Sequence, residues 1–177
     1  MRKKLKWIIP LVLLILIIAF YLKPTISEPF EEIYANVDAE TVASLQNFRI
    51  AHPVQKLDVN GVTWDYIAMG EGEETILFLH GMTGAYDIWW NQLNALEADY
   101  RLISVTYPAV NTLAEIDAGL LAILDEESVD KFNLIGSSLG GYFAQYLLTR
   151  HPERIQHAVF ANTFPPNDII AEKNKSI

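Results

Sequence analysis

From residue 75 onward the chain carries four short runs of nearly continuous apolar character: Thr75 to Leu79 (TILFL), Leu102 to Thr106 (LISVT), Phe132 to Ile135 (FNLI) and Ala158 to Phe164 (AVFANTF). A strand that lacks apolar/polar alternation must be covered on both faces, the condition of a strand inside a parallel sheet. Segments with helical spacing lie between them, at Asp87 to Ala98, Leu113 to Asp125 and Leu139 to Arg150, the last halted by Pro152. Two earlier runs, Val54 to Val59 and Val62 to Met69, flank Asn60-Gly61, a strong two-residue hairpin signal. A hairpin followed by repeated strand-helix units predicts an α/β sandwich with a mostly parallel sheet of about six strands.

Charge and cysteine content narrow the partners. The 177 residues include 22 Asp plus Glu, 13 Lys plus Arg and no Cys, which excludes a disulfide scaffold and a cysteine-ligated metal site. Arg2, Lys3, Lys4, Lys6 and Lys23 concentrate positive charge in the first 23 residues, so the body is acidic and nucleic acid is not an expected partner. Residues 7–22 are apolar, aromatic or Pro throughout. As a helix they would cover about 24 Å against a hydrocarbon core of ~30 Å, with flanking lysines able to snorkel. They read as an uncleaved membrane anchor rather than a signal peptide, because Ala19-Phe20-Tyr21-Leu22-Lys23-Pro24 lacks a small-x-small cleavage site. The charge bias then predicts a single-pass protein of the cell membrane, amino terminus cytoplasmic and the rest outside. The expected divisions are an anchor at 1–23, a tether and short helix at 24–53 (Asp38 to Ala51 helical), and the α/β domain at 54–177.

The chemistry is concentrated in Gly136-Ser137-Ser138-Leu139-Gly140, a G-x-S-x-G pattern between an apolar strand and an amphipathic helix. A sharp turn there would present Ser138 above the sheet in a strained conformation, with glycines two residues to either side removing colliding side chains. Ser137 fails the pattern, since Ile135 and Leu139 flank it. Neither a P-loop nor a dinucleotide fingerprint is present: Tyr142 and Phe143 follow Gly141, and G-x-G-x-x-G is missing. A second motif, His80-Gly81-Met82-Thr83-Gly84, follows the strand TILFL directly. Its Met82 N–H, with the Leu139 N–H, would form an oxyanion hole for a tetrahedral intermediate. His80 is expected to belong to the scaffold of that loop, with Gly81, Gly136 and Gly140, rather than to act as the base.

These residues resemble the α/β-hydrolase superfamily over roughly Val54 to Phe164, including the Asn-Gly hairpin, the His-Gly loop, the serine elbow and His151-Pro152-Glu153-Arg154-Ile155. Tyr107-Pro108, Ser138-Leu139-Gly140-Gly141 with Gln145, and Asn162-Thr163-Phe164 look like the maspardin-like subgroup. The commoner hydrolase pattern has an Asp and an Arg-Gly after the fourth strand, where this chain has Tyr107-Pro108-Ala109-Val110. The resemblance implies Ser138 as nucleophile, then an acid after strand six or seven, then a late histidine. Asp168 occupies the post-strand-six position and is the candidate acid; its bland alternative is a solvated loop carboxylate. No such late histidine is found among His52, His80, His151 and His157. The chain is therefore expected to be truncated after about six strands, to leave strand six as an exposed edge, and to have slight activity alone.

The favoured expectation is a membrane-anchored serine hydrolase of ester, thioester or amide bonds in a small-molecule acyl substrate, with no metal or organic cofactor implied. The alternative is a non-catalytic, membrane-tethered binding module on the same fold, its protein partner unknown. Trp89 and Trp90 are expected to serve packing, and Asp125, Glu126, Glu127 and Asp130 to form a solvated turn rather than a cation site.

Overall fold

Asn60 and Gly61 both adopt left-handed backbone, at φ 55° and 82°, as a primed two-residue turn requires. They join β1 (Gln55–Val59) to β2 (Val62–Met69) in antiparallel register, with Val59 opposite Val62 and Gln55 opposite Tyr66. From β2 the computed structural model, which describes residues 2–22 and 28–165, passes into a mixed sheet. The further strands are β3 (Thr75–Leu79), β4 (Arg101–Thr106), β5 (Phe132–Ser137) and β6 (Ile155–Ala161), in spatial order β1-β2-β4-β3-β5-β6. The pairs β3/β4, β3/β5 and β5/β6 are parallel, and β2/β4 is antiparallel. The predicted mostly parallel α/β sandwich is what forms.

All five residues of β3 are buried because the strand is covered on both faces. Leu77 and Leu79 join Leu120, Ile123, Phe143 and Leu147, the core under α5 (Leu113–Glu126) and α6 (Leu139–Arg150). Ile76 and Phe78, pointing the other way, meet Phe48 of α3 (Ala39–Ala51) and Leu93 of α4 (Trp90–Leu96). Parallel pairing brings the carboxyl ends of β3, β4, β5 and β6 to one edge. The loops after them, at His80, Tyr107, Ser138 and Asn162, therefore gather there.

Two boundaries move relative to the sequence expectation. The expected helix from Asp87 is a 3-10 turn at Tyr86–Trp89 followed by the short α4. Side chains of β4 take both polar groups of the Tyr86 backbone: Ser104 Oγ donates to its carbonyl at 2.7 Å, and its N–H donates to Thr106 Oγ1 at 2.9 Å. The last strand runs Ile155–Ala161 rather than Ala158 to Phe164, because its register against β5 starts at Phe132 opposite Ile155 and Asn162 turns left-handed at φ 47°. Trp89 packs on Phe78 at 5.5 Å, and Trp90 Nε1 donates to Ser44 Oγ at 3.3 Å. In the acidic turn, Glu127 accepts from Tyr66 at 2.9 Å and Arg101 at 2.6 Å, while Asp125 pairs with Arg154. Among the described residues no group of three or more His, Cys, Asp or Glu is placed to hold a metal ion.

The chain divides into two compact units, Met1–Ala39 and Glu40–Ile177. The first contains α1 (Arg2–Tyr21) and the single-turn α2 (Phe30–Ile33), the latter inside the segment expected to be a plain tether. Among the described residues no helix is long and apolar enough to cross a membrane. This corrects the expected localisation: the anchor at residues 7–22 and the single-pass arrangement built on it are not supported. The physical reason lies in length, since the uncharged run between Lys6 and Lys23 reaches only about 24 Å in a helix, short of the ~30 Å core.

Candidate active site

Ser138 stands between the last residue of β5 and the first of α6 at φ 52° and ψ −118°. For a residue with a Cβ this conformation costs of order 1–3 kcal/mol and persists only where the surroundings over-determine it. They do so here. The Ser138 N–H donates to Ala161 O at 3.0 Å, and its carbonyl accepts from the N–H groups of Gly141 and Tyr142 at 3.1 and 3.2 Å. Thr163 Oγ1 donates to the same carbonyl at 2.7 Å. The flanking glycines are required by close approach: a Cβ on Gly136 would lie 2.5 Å from Gly140 O, and one on Gly140 would lie 2.2 Å from Leu79 O. The start of α6 is thereby pressed against the end of β3.

That contact brings the His80-Gly81-Met82 loop to the serine. A Cβ built on Gly81 would stand 3.3 Å from Ser138 Cβ and 3.8 Å from its Oγ, so the loop backbone runs close beside the serine and a side chain there would crowd it. Leu139 and Met82, the two residues expected to supply oxyanion donors, flank this point, and Met82 is 79% exposed. Among the described residues no acceptor takes the backbone N–H of either. The amide at the helix start is left free because the residues before it belong to β5 and offer no helical acceptor.

His80 is 3% exposed and faces its own loop. Its Nδ1 lies 2.6 Å from Gly81 O; a carbonyl only accepts, so Nδ1 carries the hydrogen. The other nitrogen, Nε2, is buried with no hydrogen-bond partner among the described residues. The bond to Gly81 has a further effect through the peptide plane: fixing the Gly81 carbonyl fixes the Met82 N–H, which points the opposite way. Burial, opposed by the Gly81 bond and the Asp87 charge, pushes the His80 pKa below its ordinary 6.5. The unfolded chain therefore takes up a proton near pH 6.5 that the folded chain refuses until lower pH. Stability should be full above that value and fall as pH drops through it, with His80→Asn flattening this part of the profile. Urea midpoints of both proteins at pH 7.5 and 5.5 test it.

The other histidines are engaged elsewhere: His52 with Glu97 at 3.5 Å, His151 Nε2 with Asp117 Oδ1 at 2.9 Å, and His157 Nδ1 with Asn133 Oδ1 at 2.9 Å. His157 lies early in β6, at the end of the sheet away from Ser138. Asp168 lies outside the described residues. Beside Met82 and Leu139 a hollow of about 440 Å³ opens, walled by Tyr107, Val110, Leu113, Ile116 and Phe143. A hollow of similar size between α3 and α4 touches none of these site residues. Sequence reasoning missed the grips of Ser104, Thr106, Tyr107 and Thr163 on the loop backbones. The one available signal was hydroxyl side chains at the carboxyl end of an otherwise apolar strand.

Comparison with known proteins agrees with this architecture. The model of the alpha/beta hydrolase fold family matches residues 74–176, more than half of the chain. The dihydrolipoyllysine-residue acetyltransferase component of an acetoin cleaving system from Cupriavidus necator is 31% identical over 110 residues, covering 57% of this chain and 29% of its own length. Maspardin from Danio rerio is 35% identical over 97 residues, 53% of this chain and 31% of the relative. A hydrolase structure from Pseudomonas aeruginosa PA01 superposes with a TM-score of 0.59 at 26% identity, over 68% of this chain and 51% of that one. The chain thus spans less than a third of the length of either curated relative.

Proposed function

The chain belongs to the alpha/beta hydrolase fold family, and from that premise we propose that Ser138 is the nucleophile of a serine hydrolase acting on ester, thioester or amide bonds of a small acyl substrate. Its Oγ passes its proton to a base as it bonds to the substrate carbonyl carbon, and the carbonyl π pair moves onto oxygen, where the Met82 and Leu139 N–H groups receive the charge; the base then delivers that proton to the leaving group. Collapse of this intermediate breaks the bond to the leaving group, which departs with a proton as alcohol, thiol or amine. Water then cleaves the acyl-serine, releasing the acid and restoring the hydroxyl. The hollow beside the two donors, with Val110, Leu113, Ile116 and Phe143 in its wall alongside the polar Asn111 and Thr112, suits an acyl group with an aliphatic or aromatic part. The proton acceptor for Ser138 is not among the described residues, and Asp168 is proposed only as its acidic partner. The scheme uses no metal or organic cofactor.

The observation that carries this reading is the left-handed Ser138 backbone with two unengaged amides beside it. Incubation of the full-length protein with a fluorophosphonate and mapping of the adduct tests it. A phosphonylated Ser138 is expected; an unmodified Ser138 under conditions that label a control hydrolase would defeat the catalytic reading. A second reading, a non-catalytic binding module, is favoured by one observation: all four histidines have partners or settings other than Ser138. Absence of the adduct together with retained folding selects it.

A further inference from the structure

We propose that Tyr107 is a positioning residue whose ring and hydroxyl hold His80 and so set the direction of the Met82 N–H. This rests on the hydrolase reading above. Tyr107 is the first residue after β4, where the commoner family pattern has an acid. Its hydroxyl donates to the His80 carbonyl at 3.1 Å. Its ring lies against the imidazole with centroids 4.1 Å apart and planes at 34°, and it is backed edge-on by Phe143 at 5.1 Å. His80 is therefore held twice, by a hydrogen bond on its backbone and by a ring on its side chain. The imidazole in turn holds the Gly81 carbonyl, and the planar peptide transmits that orientation to the Met82 amide.

The same strand secures the other end of the loop, through Ser104 and Thr106 on the Tyr86 backbone. A loop of seven residues, 80–86, is thus bridged at both ends by the carboxyl end of β4. Between those points the backbone is closed by the bond from Gly84 N–H to Gly81 O at 3.1 Å, which shares its acceptor with His80 Nδ1. Tyr107 suits this task in a way that an acid would not. Its donor is permanent, since burial raises the phenol pKa far above any working pH, and its ring can also stack. The ring belongs to the wall of the hollow as well, so the group that sets the oxyanion donor also borders the acyl group.

Tyr107→Phe removes the hydroxyl and keeps the ring, so it separates positioning from packing; Tyr107→Leu removes both. Two readouts are needed on the full-length protein. The first is the rate of fluorophosphonate labelling and the turnover of a p-nitrophenyl ester. Tyr107→Phe is expected to lower the labelling rate and kcat by about tenfold with KM changed less than about twofold, because a misaimed donor is felt in the transition state and not in ground-state binding. Tyr107→Leu should lower them further. The second readout is amide hydrogen exchange at Gly84, expected to be about fivefold faster in Tyr107→Phe as the loop closure loosens. Wild-type labelling and turnover in Tyr107→Phe, or unchanged Gly84 exchange, overturns the inference. If the wild-type chain itself is never labelled, the hydrolase reading fails, and Gly84 exchange still decides whether Tyr107 holds the loop.

Discussion

Ser138→Ala is expected to abolish the fluorophosphonate adduct and any Ser138-dependent ester turnover, leaving a rate set by the oxyanion amides and binding alone. Loss of the nucleophile from a triad-type site costs on the order of 10⁶ where the site is fully assembled. The residual catalysis of such a site, ~10³ to 10⁴ over water, is what its donors still contribute. Stability should move the other way. Ser138 sits at φ 52° under restraint from Ala161, Gly141, Tyr142 and Thr163, and its hydroxyl makes no capping bond at the helix start. Ser138→Gly relieves the left-handed strain, and should raise stability by about 1 kcal/mol, or a few degrees in Tm for a domain of this size. A variant that gains stability while losing all labelling is the signature of a residue kept for chemistry. If Ser138→Gly were instead strongly destabilised, the side chain would be a packing element and the elbow would be structural only.

Gly140→Ala is expected to produce the largest loss of stability of any single methyl added near the site. The new Cβ would stand 2.2 Å from Leu79 O, 2.5 Å from Leu79 C and 2.6 Å from His80 O, all backbone atoms of the central strand and the loop after it. Backbone cannot rotate away as a side chain end can, so α6 must retreat from β3, at a cost of about 3 kcal/mol or more. Thermal unfolding should fall by roughly 6 to 12 °C on that basis. Labelling of Ser138 should fall too, because the same shift carries the Leu139 amide away from the loop that bears Met82. Gly61→Ala supplies the control: among the described residues no atom lies within 4 Å of its added Cβ, and its φ of 82° is what penalises the change. That loss should be nearer 1 kcal/mol, with labelling unaffected. Equal effects at the two glycines would show that backbone conformation and not contact with β3 governs Gly140.

Several parts of the fold were legible because their causes are local. The left-handed Asn60-Gly61 turn follows from residue types that tolerate positive φ. The short runs TILFL and LISVT are buried because a run with no polar face can only sit between covering layers. The Ser138 turn was legible from two glycines whose hydrogens make room for backbone on either side. Other parts depend on partners distant in sequence. The shortening of the helix after the His-Gly loop is decided by Ser104 and Thr106, which capture the Tyr86 backbone from 18 and 20 residues away. Nothing in the spacing of Asp87 to Ala98 contains that information. The start of β6 at Ile155 is set by the register against Phe132, since a strand begins where its neighbour offers hydrogen bonds and not where its apolar run begins. The apolar run at residues 7–22 was legible as a run, while its reading as a membrane span did not survive, and its helical reach is the limiting quantity.

The amino-acid order by itself determined the type and succession of the elements and the position of the serine at a strand-to-helix bend, because hydrophobic period and glycine placement act over a few residues. Only the tertiary structure decided which groups converge on that bend. It set the Gly81 backbone against Ser138, the Thr163 hydroxyl on the Ser138 carbonyl, and the Tyr107 hydroxyl on the His80 carbonyl. The physical reason is the parallel sheet: it carries the ends of strands distant in the chain to one edge, where their loops, such as those of His80 and Tyr107, 27 residues apart, meet at hydrogen-bonding distance.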